Sequence, residues 1–252
     1  VTYAAIARNL AEGMGSFLSP FYTFTVYPSF HEQPPLGLVL QSGAFRLFGD
    51  HLAVERVYCL LLGGLTGALI VAIWCQTVRE KEHGWLPLVF WLLPAGVTWS
   101  IANNMLEVTQ AVFTTFAVLA FVCSLRGTVS WVWALAAGLS VSGAVLVKGP
   151  VGLFPLAAPV LVAVLLPKHR TRAMRSGLAM AAAVALVAVA VFMPEDSRQS
   201  LETYWAQRVA PSFTGVRGGG GRLNLMARYL GEGVVLRMAG LAVLAWLVGR
   251  RR

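Results

Sequence analysis

The sequence predicts an all-α, polytopic membrane protein with about seven spanning helices and additional helices lying at one surface. Three observations predict it, and composition supplies two: 57% of the 252 residues are hydrophobic with a mean hydropathy of +0.69, and only 12% are charged. Soluble domains carry roughly 25% charged residues. The third observation is the spacing of the apolar runs, each near the ~20 residues that cross about 30 Å of hydrocarbon. The net charge of +9 would suit nucleic acid, but the basic residues sit between the apolar runs, where they follow the positive-inside pattern instead. Nucleic acid is therefore set aside as a partner, and the lipid bilayer takes its place.

Spans are expected at 53–77, 84–102, 107–125, 129–147, 150–167, 175–193 and 233–249. Arg79 and Lys81 follow the first, Arg126 the third, Lys168 to Arg175 the fifth and Arg250 to Arg252 the last. Every cluster follows an odd-numbered span, so one orientation places all four in the cytoplasm. Residues 1–52 and the loop 194–232 are then extracytoplasmic, with six spans across 53–193 and the last span and tail in 233–252; the whole reads as a single membrane domain. Cys59, Cys75 and Cys123 fall inside apolar runs and read as small buried hydrophobes, without a disulfide framework or a CxxC metal site. The chain begins outside with Val1 and shows no cleavable signal peptide, so it is expected to be a fragment with a span upstream and room for more spans after Arg252.

The extracytoplasmic start is patterned. Tyr3, Ile6, Ala7 and Leu10 recur at helical spacing and stop at Gly13, predicting a short amphipathic helix on the membrane surface. A second surface helix is marked by Leu36, Val39, Leu40, Leu47 and Phe48 and ends near Gly49 and Asp50. Between them stands His31-Glu32-Gln33-Pro34-Pro35-Leu36, a carboxylate beside an imidazole ahead of two prolines that fix the backbone. It is the chain's most chemically loaded segment. Glu32 suits either a functional carboxylate or a cap for the helix that follows. His31 is either a hydrogen-bonded loop residue or, with Glu32, a ligand for a divalent cation.

Other candidates share that side. Lys148, at a Gly-Pro turn, can present a point charge to a lipid phosphate or snorkel from the end of its span. Glu107, near Asn103 and Asn104, lines a cavity or complements a helix N-terminus. The segment with Tyr204, Trp205, Gln207, Arg208, Arg217 and Arg222 combines aromatic faces suited to sugars, or to interfacial anchoring, with guanidinium groups suited to phosphates. Its run Gly218 to Gly221 lacks the Lys-Ser/Thr pair and preceding strand of a phosphate loop and reads as a hinge.

Tyr3-Ala-Ala-Ile-Ala-Arg8-Asn9-Leu10, Tyr27-Pro28, His31 to Leu36, Leu47-Phe48-Gly49-Asp50 with Glu55-Arg56, and Val147-Lys148-Gly149-Pro150-Val151-Gly152 together resemble the bacterial polyprenyl-phosphate-sugar glycosyltransferases. These are C-type membrane enzymes related to protein O-mannosyltransferases and to the aminoarabinose transferases of lipid A. The resemblance implies transfer of a sugar from a polyprenyl-phosphate carrier to an extracytoplasmic acceptor, with inversion, in the bacterial inner membrane. It implies that Glu32 is a metal ligand or a partner of donor and base, and that Lys148 lies on the active side. It places the acidic base two positions before Val1, so the fragment alone is expected to be inactive. Gln33 stands where some relatives carry a phosphate-contacting lysine; that contact is either absent or made by another cation, for which Lys148, Arg217 and Arg222 are candidates. Two other classes stay open: a transporter or lipid flippase, which would hold its polar residues near the midplane, and an inactive scaffold of the same fold.

Overall fold

The computed structural model describes residues 2–26, 28–78, 80–126 and 130–213. Among them the regular elements are helical: α1 (Thr2–Ala11), α2 (Leu36–Phe48), α3 (Leu52–Thr77), α4 (Trp85–Leu92), α5 (Ala95–Ala102), α6 (Leu106–Ser124), α7 (Ser130–Lys148), a 3₁₀ stretch Gly149–Leu156, α8 (Ala157–Leu165), α9 (Arg170–Phe192), α10 (Glu195–Tyr204), a π-helical turn Trp205–Val209 and α11 (Ala210–Phe213). The expected span 233–249, Arg217, Arg222 and the glycine run lie outside the described residues.

Four stretches are long and apolar enough to cross a membrane, or five if the bent pair α4 and α5 counts as one span. The bend of 78° falls at Pro94, whose ring cannot continue a helix. This pair crosses rather than turning back: Gly84 faces Val71 and Trp74, Gly67 faces Leu88, Gly63 faces Ile101, and Arg56 reaches the Ala102 carbonyl. It therefore runs antiparallel along the whole of α3. The span expected over 84–102 falls on two short helices, α4 and α5, broken at Pro94.

The 36-residue apolar stretch Ser130–Leu165 is too long for one pass, since a straight helix of that length would reach about 54 Å. It folds back on itself. Gly149 has φ +80°, a conformation that glycine adopts without steric cost. The turn then lays Gly152 against the backbone of Ala144, where a Cβ would come within 2.6 Å of the Ala144 carbonyl carbon. The returning 3₁₀ stretch has 8 residues and α8 has 9, which together span about 30 Å. Counted with this reversal, the described residues between 52 and 192 make six apolar passes.

Small residues let these helices approach closely, as membrane packing favours. Ala117, Ala120 and Phe121 of α6 meet Ala137 and Val141 of α7, Ala163 of α8, and Ala173 and Met180 of α9 in one buried cluster. Arg126 and Arg172, from two of the basic clusters, lie at one end of the bundle, where Arg126 donates to Gln76 Oε1 and Arg172 to the Leu125 carbonyl. At the other end, Ile6, Phe30 and Leu38 pack onto Leu106 and Val147.

The two surface helices differ from their sequence reading. The apolar face of α1 is covered by protein rather than by membrane: Ala4, Ile6, Ala7 and Leu10 are buried, with Ala4 and Ala7 against Phe45 of α2. In α2 the protein-facing stripe is Gly37, Leu38, Gln41, Ser42 and Phe45, while Leu40, Leu47 and Phe48 point away from the bundle. Helical periodicity identifies an apolar face but not whether lipid or protein covers it.

Candidate functional site

Neighbouring helices α6 and α7 run antiparallel, so the first turn of one meets the last turn of the other. Glu107 lies in the first turn of α6 and Lys148 closes α7, each at the helix end whose dipole favours its charge. Lys148 Nζ pairs with Glu107 Oε1. The second carboxylate oxygen of Glu107 is buried and has no hydrogen-bond partner among the described residues. Lys148 thus has a protein anion as its partner, and Glu107, 40% exposed, stands in the first turn of α6.

The second ion pair joins residues far apart in the chain: Arg208 Nη2 contacts Glu32 Oε1. Both side chains are about one-quarter exposed, at 27% and 25%. Glu32 is not the cap of α2, whose N-terminus has Pro35 at the cap position and no side-chain cap bond. Gln33 follows Glu32 in this turn, so Arg208 brings a cation next to the position where some relatives of the resembled family have lysine.

One helix positions three of these contacts. Ser200, Tyr204 and Arg208 are spaced four apart along α10 and the π turn, and they meet His31, Lys148 and Glu32 respectively. In an unbroken α-helix, Arg208 would lie about 80° around from Ser200; at the wider π pitch of about 4.4 residues per turn the offset falls to about 10°. The Ala210 N–H bonded to the Trp205 carbonyl is the i to i+5 bond that makes this correction. Tyr204 Oη donates to the Lys148 carbonyl at 3.5 Å and covers Gly149 so closely that any Cβ there would collide with it.

Hydroxyl geometry fixes the form of His31. Ser200 donates its single proton to the Leu18 carbonyl at 2.9 Å, so it accepts from His31 Nδ1 at 3.1 Å. His31 Nε2 is then free to accept from Ser29 Oγ at 3.0 Å. Burial lowers the His31 pKa, in keeping with this neutral tautomer. Tyr3 lies in the field of both ion pairs: burial raises its pKa most, the Glu107 charge raises it further and Arg208 opposes the shift. Burial also holds the Tyr204 phenol protonated.

The divalent-cation expectation meets a poor donor set. No group of three His, Cys, Asp or Glu side chains converges among the described residues. Both His31 nitrogens face serine hydroxyls and Glu32 faces Arg208. A metal at Glu32 would have to displace a guanidinium, so no chemical step below is routed through one.

Beside Lys148 opens an apolar groove of about 660 Å³ between α7, the 3₁₀ stretch, α9 and α10. Its walls include Val145, Leu153, Val187, Val191 and Trp205, and its upper edge includes Gly149 and Tyr204. The site therefore joins an apolar channel to two cations, each matched with a carboxylate.

A profile for the dolichyl-phosphate-mannose-protein mannosyltransferases matches residues 32–195. The chain belongs to that family. The matched region of this family member starts at Glu32 and contains Glu107 and Lys148, while Tyr204 and Arg208 lie beyond it. The fold is also similar to the crystal structure of ArnT from Cupriavidus metallidurans bound to undecaprenyl phosphate, with a TM-score of 0.59 and 22% identity. That similarity covers 82% of this chain and 39% of the ArnT chain, so this chain corresponds to well under half of that protein. No match was found among curated protein sequences.

Sequence reasoning named Arg208 and Tyr3 without singling either out as a site residue. Arg208 was legible only as one arginine in an aromatic and basic segment, and Tyr3 as one position of an amphipathic face. The four-residue spacing of Ser200, Tyr204 and Arg208 was the available signal, but it becomes one face only with the π turn.

Proposed function

We propose that this chain forms the core of a membrane glycosyltransferase that moves a sugar from a polyprenyl-phosphate carrier to an acceptor outside the cytoplasm, with inversion at the anomeric carbon. The basic end would face the cytoplasm of a bacterial inner membrane. One observation carries the reading: two cations, Lys148 and Arg208, stand with matched carboxylates beside an apolar groove. A polyprenyl phosphate has this composition, an apolar chain ending in an anion. The ArnT structure holds a lipid of the same chemical class in a similar fold.

The chemistry follows from charge. The acceptor oxygen forms a bond to the anomeric carbon as the bond from that carbon to the phosphate oxygen breaks, and the phosphate leaves with the electron pair. Cations placed before the reaction stabilise that developing charge without reorganising. Arg208 offers planar, two-pronged recognition and Lys148 a point charge. Phosphate entering this site competes with Glu32 and Glu107 for the same cations, so donor binding frees carboxylates beside the reacting centre. The acceptor proton goes to a carboxylate base, and Glu32 positions the donor.

Placement argues against a transporter. Glu32, Glu107, Lys148 and Arg208 gather at one end of the bundle, whereas a transporter site would sit near the midplane. The deciding experiment reconstitutes the full-length protein with a polyprenyl-phosphate sugar and candidate acceptors. Sugar transfer is expected; movement of solute or lipid without transfer would favour the transporter, and neither would leave a scaffold. Chelation during the same assay tests the metal: transfer that stops and returns with a divalent ion would require a ligand set different from the one described above.

A further inference from the structure

Helix α10 separates two spaces of opposite chemistry. Leu201, Tyr204 and Trp205 line the apolar groove. On the other side, Asp196, Gln199 and Ser200 face Ser16, Ser19 and His31 across an open cleft of about 350 Å³. The alternation follows from helical geometry, since 196, 199, 200 and 203 share one face while 201, 204 and 205 share another.

Among the described residues the cleft offers many hydrogen-bonding groups and no Lys or Arg in its lining. Ser19, His31 and Ser200 are committed to the network that ties the 12–35 segment to α10. The Asp196 carboxylate, the Gln199 amide and the Ser16 hydroxyl proton make no hydrogen bond to any described residue and are available to a ligand. A carboxylate with no lysine or arginine in the cleft disfavours phosphate. Acceptors, donors and groups that serve as both suit the hydroxyls of a neutral sugar ring. The volume lies at the lower end of the roughly 300–1,000 Å³ typical of small-molecule sites.

We propose that this cleft binds the saccharide portion of the acceptor, so that the acceptor is a glycolipid or polysaccharide sugar rather than a protein side chain. The proposal rests on the glycosyl-transfer reading above. Its geometry brings the two substrates together from opposite faces of α10. The donor chain enters along the apolar groove, the acceptor sugar enters the polar cleft, and His31 and Glu32, adjacent in sequence, form the boundary where they meet.

The test uses the full-length protein in lipid nanodiscs and the double variant Asp196→Asn, Gln199→Ala. The expected result is an acceptor KM raised about 10-fold or more, from the loss of a charge-assisted and a neutral hydrogen bond, with donor KM unchanged. Glu195→Gln, on the same turn but outside the cleft lining, serves as the folding control. An acceptor KM within about twofold of the native value, or a rise in donor KM instead, overturns the proposal. A second readout needs no transfer: saturation-transfer NMR with methyl hexopyranosides at millimolar concentration. Signals from the native protein that vanish in the double variant support a saccharide site even if no transfer is detected, in which case the glycosyl-transfer reading fails alone. Absence of signal from the native protein, or signals unaffected by the substitutions, rejects the cleft as a sugar site while leaving that reading standing.

Discussion

The two ends of the helical bundle both carry charge, but they use it differently. At the basic end, Arg126 and Arg172 are exposed and bond to Gln76 and to the carbonyl of Leu125, groups that terminate their own or adjacent helices. At the opposite end, Lys148 and Arg208 are largely covered and each faces a carboxylate supplied by another segment. Exposed cations at a helix end mark orientation and have little structural cost. Covered cations must be compensated, and a compensated cation is one that an entering anion can claim. The contrast separates charges that set topology from charges that can do chemistry, although both are the same residue types in sequence.

The sharpest way to break this contrast is Lys148→Ala in the full-length protein. A loss in kcat/KM of about 100-fold or more is expected for removal of a group that stabilises developing charge. Arg126→Ala at the other end should stay within about twofold. Equal losses at the two ends would erase the distinction. Arg208→Ala is expected to raise donor KM about 10- to 100-fold, the size of one charged hydrogen bond. A double-mutant cycle with Glu32→Gln should show a coupling of about 1–3 kcal/mol, and additive effects would show that the pair does not act together.

Smaller effects probe the supports of the site. Gly149→Ala forces a side chain into φ +80° and against Tyr204, with an expected loss of about 1–3 kcal/mol read from chemical or thermal unfolding. Tyr204→Phe removes the hydroxyl but keeps the ring, and should cost less than that. The smallest effect concerns His31. Its pKa is lowered in the folded protein, so the unfolded chain binds the proton more readily as pH falls. The His31 contribution is therefore complete above the ordinary histidine value of about 6.5 and is lost as pH drops toward the folded value. The thermal midpoint of the native protein should fall more than that of His31→Gln between pH 7.5 and pH 5.5. An equal fall in both would place the pH sensitivity elsewhere.

Much of the architecture was readable from the sequence because the bilayer imposes it. Length and hydropathy predict six crossings between residues 52 and 192, and the spacing of basic residues predicts which ends lie together. Tertiary contacts were needed to show that α4 and α5 form a broken crossing and that Gly149 reverses the chain. Periodicity also left open what covers an apolar face: α1 is covered by α2 and the ends of α6 and α7, whereas Leu40, Leu47 and Phe48 of α2 point outward.

The site divides along the same line. Glu32, Glu107 and Lys148 were legible because an ionisable residue in so apolar a chain is costly without a role. Their partners were not legible. Glu32 could have capped a helix, and Lys148 could have snorkelled; long-range packing decided otherwise by setting Arg208 against one and Glu107 against the other. Arg208 reaches Glu32 only because the π turn rotates it into register with Ser200 and Tyr204, and Tyr3 meets both charge pairs only because α1 folds over the ends of α6 and α7. Local sequence determines which residues can bear charge and which segments enter the membrane, since those depend on solvation of the chain itself. Which charges meet depends on contacts between different helices, Glu107 with Lys148 and Glu32 with Arg208, and only the folded structure brings those together.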